Sequence, residues 1–78
     1  MSKKILFVED DTGFFEIFSA ALEMKGYSVV RVPEGSMAAQ RAIDEKPDLI
    51  LLDIILPGMS GLDVLKQLKE TEETKEIK

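Results

Sequence analysis

The sequence predicts an α/β fold built on a parallel sheet, and three observations carry that expectation. Three short apolar runs, residues 5–8, 27–32 and 49–52, are rich in β-branched or aliphatic side chains and have strand length. Each is followed by a segment whose apolar residues recur at helical spacing. The strand starts lie near residues 5, 28 and 49, so the intervals are 28 − 5 = 23 and 49 − 28 = 21 residues, which suits successive right-handed crossovers.

The elements follow in order. Ile5-Leu6-Phe7-Val8 reads as a strand buried on both faces, and it ends abruptly in Glu9-Asp10-Asp11. Phe14, Ile17, Phe18, Ala21 and Leu22 then mark a first helix, with Phe14 and Phe18 expected in the core. Asp11 or Thr12 can cap that helix, and Gly26 stands where a left-handed terminator belongs. Residues 27–32 form the second strand, which Pro33-Glu34-Gly35 breaks. Ser36 is the expected cap of a second helix carrying Met37, Ala39, Ala42 and Ile43, and Lys46-Pro47-Asp48 stops it. Leu49-Ile50-Leu51-Leu52 is the third strand and ends in Asp53. Residues 54–58 form a Pro-Gly loop, and Ser60-Gly61-Leu62-Asp63 fits a capping box opening a third helix through Leu65 and Leu68. Residues 70–78 hold four Glu, two Lys and one apolar side chain, and read as a solvated helix end and loop.

Composition narrows the function. The 78 residues carry 10 Lys+Arg against 15 Asp+Glu, a formal charge of −5, and neither Cys nor His. Disulfides, thiolate zinc sites, thiol catalysis and a His base or His-metal site in cis are excluded. The acidic balance argues against nucleic acid or anionic lipid as the main partner of this segment. The apolar run after Lys3 and Lys4 is only four residues, against the ~7–15 of a signal peptide. Nothing approaches the ~20 apolar residues of a membrane helix, so the expected location is the cytoplasm. The two N-terminal lysines read as solvated, Lys75 and Lys78 as tail charges, and the four Met as scattered fillers.

Ligands of open parallel sheets sit at the carboxyl ends of the strands. Here the first and third runs both end in acid, Glu9 and Asp10 on one and Asp53 on the other. Two carboxylates ~4 Å apart repel by ~4 kcal/mol at an effective dielectric of about 20. Such a cluster calls for a counter-cation, and an all-oxygen donor set without Cys or His points to Mg²⁺, or Mn²⁺ in its place. Glu9 to Asp11 could instead be an acidic first helical turn that favours the dipole, and for Asp11 the cap is the preferred role. Asp53 has no such explanation, because no helix starts there.

Three strings together reach a family. Lys4-Ile5-Leu6-Phe7-Val8-Glu9-Asp10-Asp11, Pro47-Asp48-Leu49-Ile50-Leu51-Leu52-Asp53 and Pro57-Gly58-Met59-Ser60-Gly61 closely resemble the receiver domain of bacterial two-component response regulators, collinearly over nearly the whole chain. The resemblance implies a flavodoxin-like fold, cut to three parallel strands in order 2-1-3 with three helices. It implies Asp53 as the phosphoacceptor, taking a phosphoryl group from a sensor histidine kinase or phosphotransfer protein. It implies Mg²⁺ held by Glu9, Asp10, Asp53 and the backbone carbonyl of Ile55. Leu56 replaces a frequent family Met, and Pro57 and Gly61 read as shapers of the loop backbone.

The departure from the family is an absence. Receivers are five-stranded, with a Thr or Ser after strand four and a Lys after strand five that contact the phosphoryl group, and an aromatic on strand five. This sequence stops at Glu76-Ile77-Lys78, about where strand four should begin, so it reads as the N-terminal three-fifths of a receiver with impaired phosphotransfer. The other readings fit less well. A flavin or nucleotide binder would place phosphate where Asp10 and Asp11 stand, and a haloacid-dehalogenase-type phosphatase needs an Asp-x-Asp spacing that Glu9-Asp10-Asp11 lacks. The non-enzymatic alternative is a self-associating fragment with an intact acidic pocket but no phosphotransfer. In the 2-1-3 order residues 49–53 form an edge without Lys, Pro or bulge. The expected partner is therefore a second copy, joined either through the third strands into a six-stranded sheet, which is the favoured arrangement, or by exchange of an element between protomers.

Overall fold

The computed structural model describes residues 3–53 and 59–78. The expected loop over 54–58, with Ile55, Leu56, Pro57 and Gly58, lies outside the described residues. The elements are β1 (Lys4–Val8), α1 (Thr12–Met24), β2 (Ser28–Val32), a 3-10 turn (Gly35–Met37), α2 (Ala38–Glu45), β3 (Leu49–Leu52) and α3 (Gly61–Glu70). The strands form one parallel sheet in the order β2-β1-β3, as expected. Leu6 stands between Val30 and Ile50, and Val8 between Val32 and Leu52.

The central strand explains the core. Ile5, Leu6, Phe7 and Val8 are all buried, because β1 is flanked by strands on both edges and by helices on both faces. On one face Leu6, Val8 and Val32 pack with Ala38 and Ala42 of α2 and Val64 and Leu68 of α3. The other face carries Phe7, whose ring meets Phe15 of α1 at 5.4 Å between centroids.

Local signals set most of the helix ends. Asp11 is the N-cap of α1, accepting from the Phe14 amide at 2.8 Å. Gly26 turns the chain out of α1 at φ 96, a left-handed value that glycine adopts without a Cβ penalty. Ser60 caps α3 by accepting from the Asp63 amide at 3.3 Å. Lys46 ends α2 in the left-handed conformation at φ 49, ahead of Pro47.

Four expectations need correction. Ser36 caps nothing: it lies inside the 3-10 turn, and α2 starts without a side-chain cap. Phe14 and Phe18 stack on each other at 4.5 Å but are each 47 % exposed, because α1 touches the sheet with only part of its apolar side. Residues 70–78 are not simply solvated. Thr74 is buried and donates to the Leu68 carbonyl at 2.6 Å, Ile77 packs on the core, and the Ile50 amide donates to the Lys78 carbonyl at 2.7 Å. Lys4 is half-buried rather than solvated, with Nζ bound to the carbonyl and Oε1 of Glu45. Among the described residues no helix is long and apolar enough to cross a membrane.

Candidate functional site

Two parallel neighbours bring the acids together. Because β1 pairs with β3 in the register Val8↔Leu52, Glu9 and Asp53 leave the sheet side by side. The ladder continues one residue beyond each strand: the Glu9 amide donates to the Val32 carbonyl at 3.0 Å and the Asp53 amide to the Val8 carbonyl at 3.2 Å. Glu9, Asp10 and Asp53 each offer a carboxylate oxygen, and these three oxygens lie within 4.8 Å of one another. Glu9 is 3 % exposed, Asp53 half-buried and Asp10 exposed, so the cluster runs from the protein interior to its surface. It opens into a cleft of about 650 Å³ between α1 and β3, walled by Phe14, Phe18 and Leu51.

Burial and like charge act together at Glu9. Burial raises the Glu9 carboxyl above its ordinary value of 4.5, and the charges of Asp53 and Asp10 push the same way. The Asp11 amide, donating to Glu9 Oε1 at 3.1 Å, acts in the opposite direction. Three hard oxygens, one of them on a buried acid that resists ionisation beside its neighbours, fit a small divalent cation. Asp11 stands next to the cluster but spends Oδ1 on the α1 cap. Ile55 lies outside the described residues.

Sequence reading passed over Arg31, a lone cation in the β-branched run of β2. Its guanidinium reaches across the sheet end and donates to the carbonyls of Glu9 at 3.2 Å and Asp10 at 2.9 Å and to Thr12 Oγ1 at 3.1 Å. The available signal was alternation: with Val32 in the core, Arg31 must face the other side of the sheet.

A family signature described as the response regulator receiver domain matches residues 5–78. Over 67 residues the chain is 43% identical to the alkaline phosphatase synthesis transcriptional regulatory protein PhoP of Bacillus subtilis, covering 86% of this chain and 28% of that protein. It is 42% identical over 67 residues to the phosphate regulon transcriptional regulatory protein PhoB of Pseudomonas aeruginosa, covering 86% and 29%. The chain thus spans less than a third of the length of these curated relatives. Among solved structures, the BeF3-activated N-terminal receiver domain of Klebsiella pneumoniae RstA superposes with a TM-score of 0.82 at 42% identity, over 85% of this chain and 56% of that one. A receiver domain of a Pseudomonas aeruginosa sensor histidine kinase, with a magnesium ion in its active-site cleft, superposes with a TM-score of 0.92 at 28% identity, over 99% and 63%. With the strand order, the acidic strand ends and the match over residues 5–78 all in agreement, this chain belongs to the response regulator receiver domain family.

Proposed function

We propose that Asp53 is the phosphoacceptor of a two-component relay and that Glu9, Asp10 and Asp53, with the backbone carbonyl of Ile55, hold the divalent cation, Mg²⁺ or Mn²⁺, that the reaction requires. The observation that carries this reading is the convergence of three carboxylates from two adjacent strand ends within 4.8 Å. The donor is the phosphohistidine of a sensor histidine kinase or phosphotransfer protein. An Asp53 oxygen attacks phosphorus, the new O–P bond forms as the P–N bond breaks, and the leaving imidazole takes its proton from solvent. An ionised carboxylate needs no base to activate it, which suits a chain without His. When bound, the cation offsets the charge gathered on nucleophile and phosphoryl oxygens. The chain's part is positioning: β3 and the Val8 carbonyl hold the Asp53 backbone, and the cleft leaves one side of the site open to the donor.

The test is labelling by a small-molecule phosphodonor with and without Mg²⁺. Even slow labelling should need Mg²⁺ and should vanish in Asp53→Asn, because an amide cannot form the acyl phosphate. Labelling of Asp53→Asn at the wild-type rate would refute the assignment. The partner reading extends to a second copy of the 78-residue chain along β3, which is a sheet edge whose Leu49 is 36 % exposed. The Ile50 amide is already engaged by the Lys78 carbonyl, so pairing there must displace the tail. Light scattering decides this point, and a monodisperse monomer at high concentration would end it.

A further inference from the structure

The backbone that carries Glu9 and Asp10 is gripped from one side by a residue that the phosphotransfer chemistry does not use. Arg31 is the β2 partner of Phe7 and lies on the sheet face opposite buried Val32. Its guanidinium carbon sits 5.2 Å from the centroid of the Phe15 ring, itself packed on Phe7, so the side chain is laid along an aromatic shelf. From there the planar fork divides. Nε donates to the Glu9 carbonyl, Nη2 to the Asp10 carbonyl and Nη1 to Thr12 Oγ1. The Glu9 and Asp10 carbonyls belong to the two peptide planes that flank the Asp10 Cα. Holding both planes sets φ and ψ of Asp10, and with them the direction in which its side chain leaves the backbone. Asp10 is exposed and lies between the end of β1 and the start of α1, where the Asp11 amide, donating to Glu9 Oε1 at 3.1 Å, steadies the Asp10–Asp11 plane from one edge and Arg31 holds the carbonyls of both planes.

We propose that Arg31 is a positioning residue of the cation site: by bridging the Glu9 and Asp10 carbonyls and the Thr12 hydroxyl, it holds the β1–α1 turn so that the Asp10 carboxylate meets those of Glu9 and Asp53. The inference rests on the reading of those three acids as a divalent-cation site. A fork with several donors in fixed geometry is needed, since a Lys ammonium is a single point charge that cannot span three acceptors. Charge alone works against the site, because a guanidinium beside it repels a second cation. Positioning and simple electrostatics therefore have opposite signs, and the choice of variant separates them.

The experiment compares wild type with Arg31→Lys, which keeps the charge, and Arg31→Met, which keeps an apolar stem over Phe15. Mg²⁺ affinity is read by calorimetry, and hydrogen exchange of the Asp11 and Thr12 amides is read by NMR in chelator. Misoriented ligands typically cost 10- to 100-fold in metal affinity when a supporting partner is lost, so both variants should bind Mg²⁺ about tenfold more weakly, without rescue by Lys. Both should also exchange the turn amides faster while the Leu6 amide of the central strand stays protected. Unchanged or tighter Mg²⁺ binding in a folded Arg31→Lys chain overturns the proposal, as does unchanged turn exchange. If Arg31→Met does not fold, Arg31→Lys alone decides. If wild type shows no Mg²⁺ binding that Asp53→Asn removes, the cation reading fails separately. The metal-free exchange rates then decide whether Arg31 holds the turn: faster exchange supports the hold, and equal exchange rejects it.

Discussion

Removing one acid from the cluster should stabilise the metal-free chain and destroy its response to Mg²⁺. Asp10→Asn is the cleanest perturbation, because Asp10 is exposed and the amide is nearly isosteric. Its carboxylate lies within 4.8 Å of an oxygen on Glu9 and one on Asp53. At that separation each like-charge pair costs about 3.5 kcal/mol at an effective dielectric near 20, and about 0.9 kcal/mol in bulk water. Exposure of Asp10 places the working value toward the lower figure, so losing two pairs should release roughly 2 kcal/mol. For a domain of this size ~1 kcal/mol moves the melting temperature by about 4–8 °C, so the variant should melt several degrees above wild type in chelator. Bound Mg²⁺ reverses the order. At a concentration about 100 times its Kd, a ligand adds ~2.7 kcal/mol to the chain that binds it and almost nothing to one that does not. Thermal melts by circular dichroism, run in chelator and across a Mg²⁺ series, should therefore cross. A variant that melts at or below wild type in chelator, with an unchanged native spectrum, would show that the three carboxylates do not repel one another as the geometry requires.

Other perturbations have equally definite signs. Glu9 is an acid whose folded value is raised, so its protonated form favours the folded state. Its contribution to stability is present below the ordinary value of 4.5 and is lost as pH rises through the raised one. In chelator, Glu9→Gln should flatten the decline in melting temperature between weakly acidic and neutral pH, and a variant that keeps the wild-type decline refutes this. Thr74→Val keeps the shape of a fully buried side chain but removes the donor to the Leu68 carbonyl. Denaturant titration should show a loss of about 1–2 kcal/mol, and no loss would mean that the tail does not hold α3. Leu6→Ala, at a fully buried site in the central strand, should cost about 2–5 kcal/mol. That is comparable to the whole stability of a small domain, so far-ultraviolet dichroism should show a largely unfolded chain, and a cooperative melt near wild type would refute the core assignment.

The strands and the carboxylates were legible in the sequence because both signals are local. Ile5 to Val8 and Leu49 to Leu52 are short apolar runs of strand length, and each is followed at once by acid. Strand order 2-1-3 then needs only short crossovers of one hand to set Glu9 beside Asp53. Asp11 and Ser60 could be read as caps for the same reason, since a cap bonds an amide three residues away. What the tertiary structure decided depends on groups distant in the chain. Phe14 and Phe18 have core spacing yet stand half-exposed, because burial requires something on the far side of the helix and periodicity does not say what that is. Residues 70–78 look solvated by composition, but the Thr74 hydroxyl, Ile77 and the Lys78 carbonyl fold back onto α3, the core and β3. Arg31 is 21 positions from Asp10 and carries no motif with it. Its reach to two successive carbonyls exists only because parallel pairing sets the end of β2 against the end of β1. A sequence records which groups are available at a strand end, while the direction each one points is set by the hydrogen bonds that its neighbours make across the sheet.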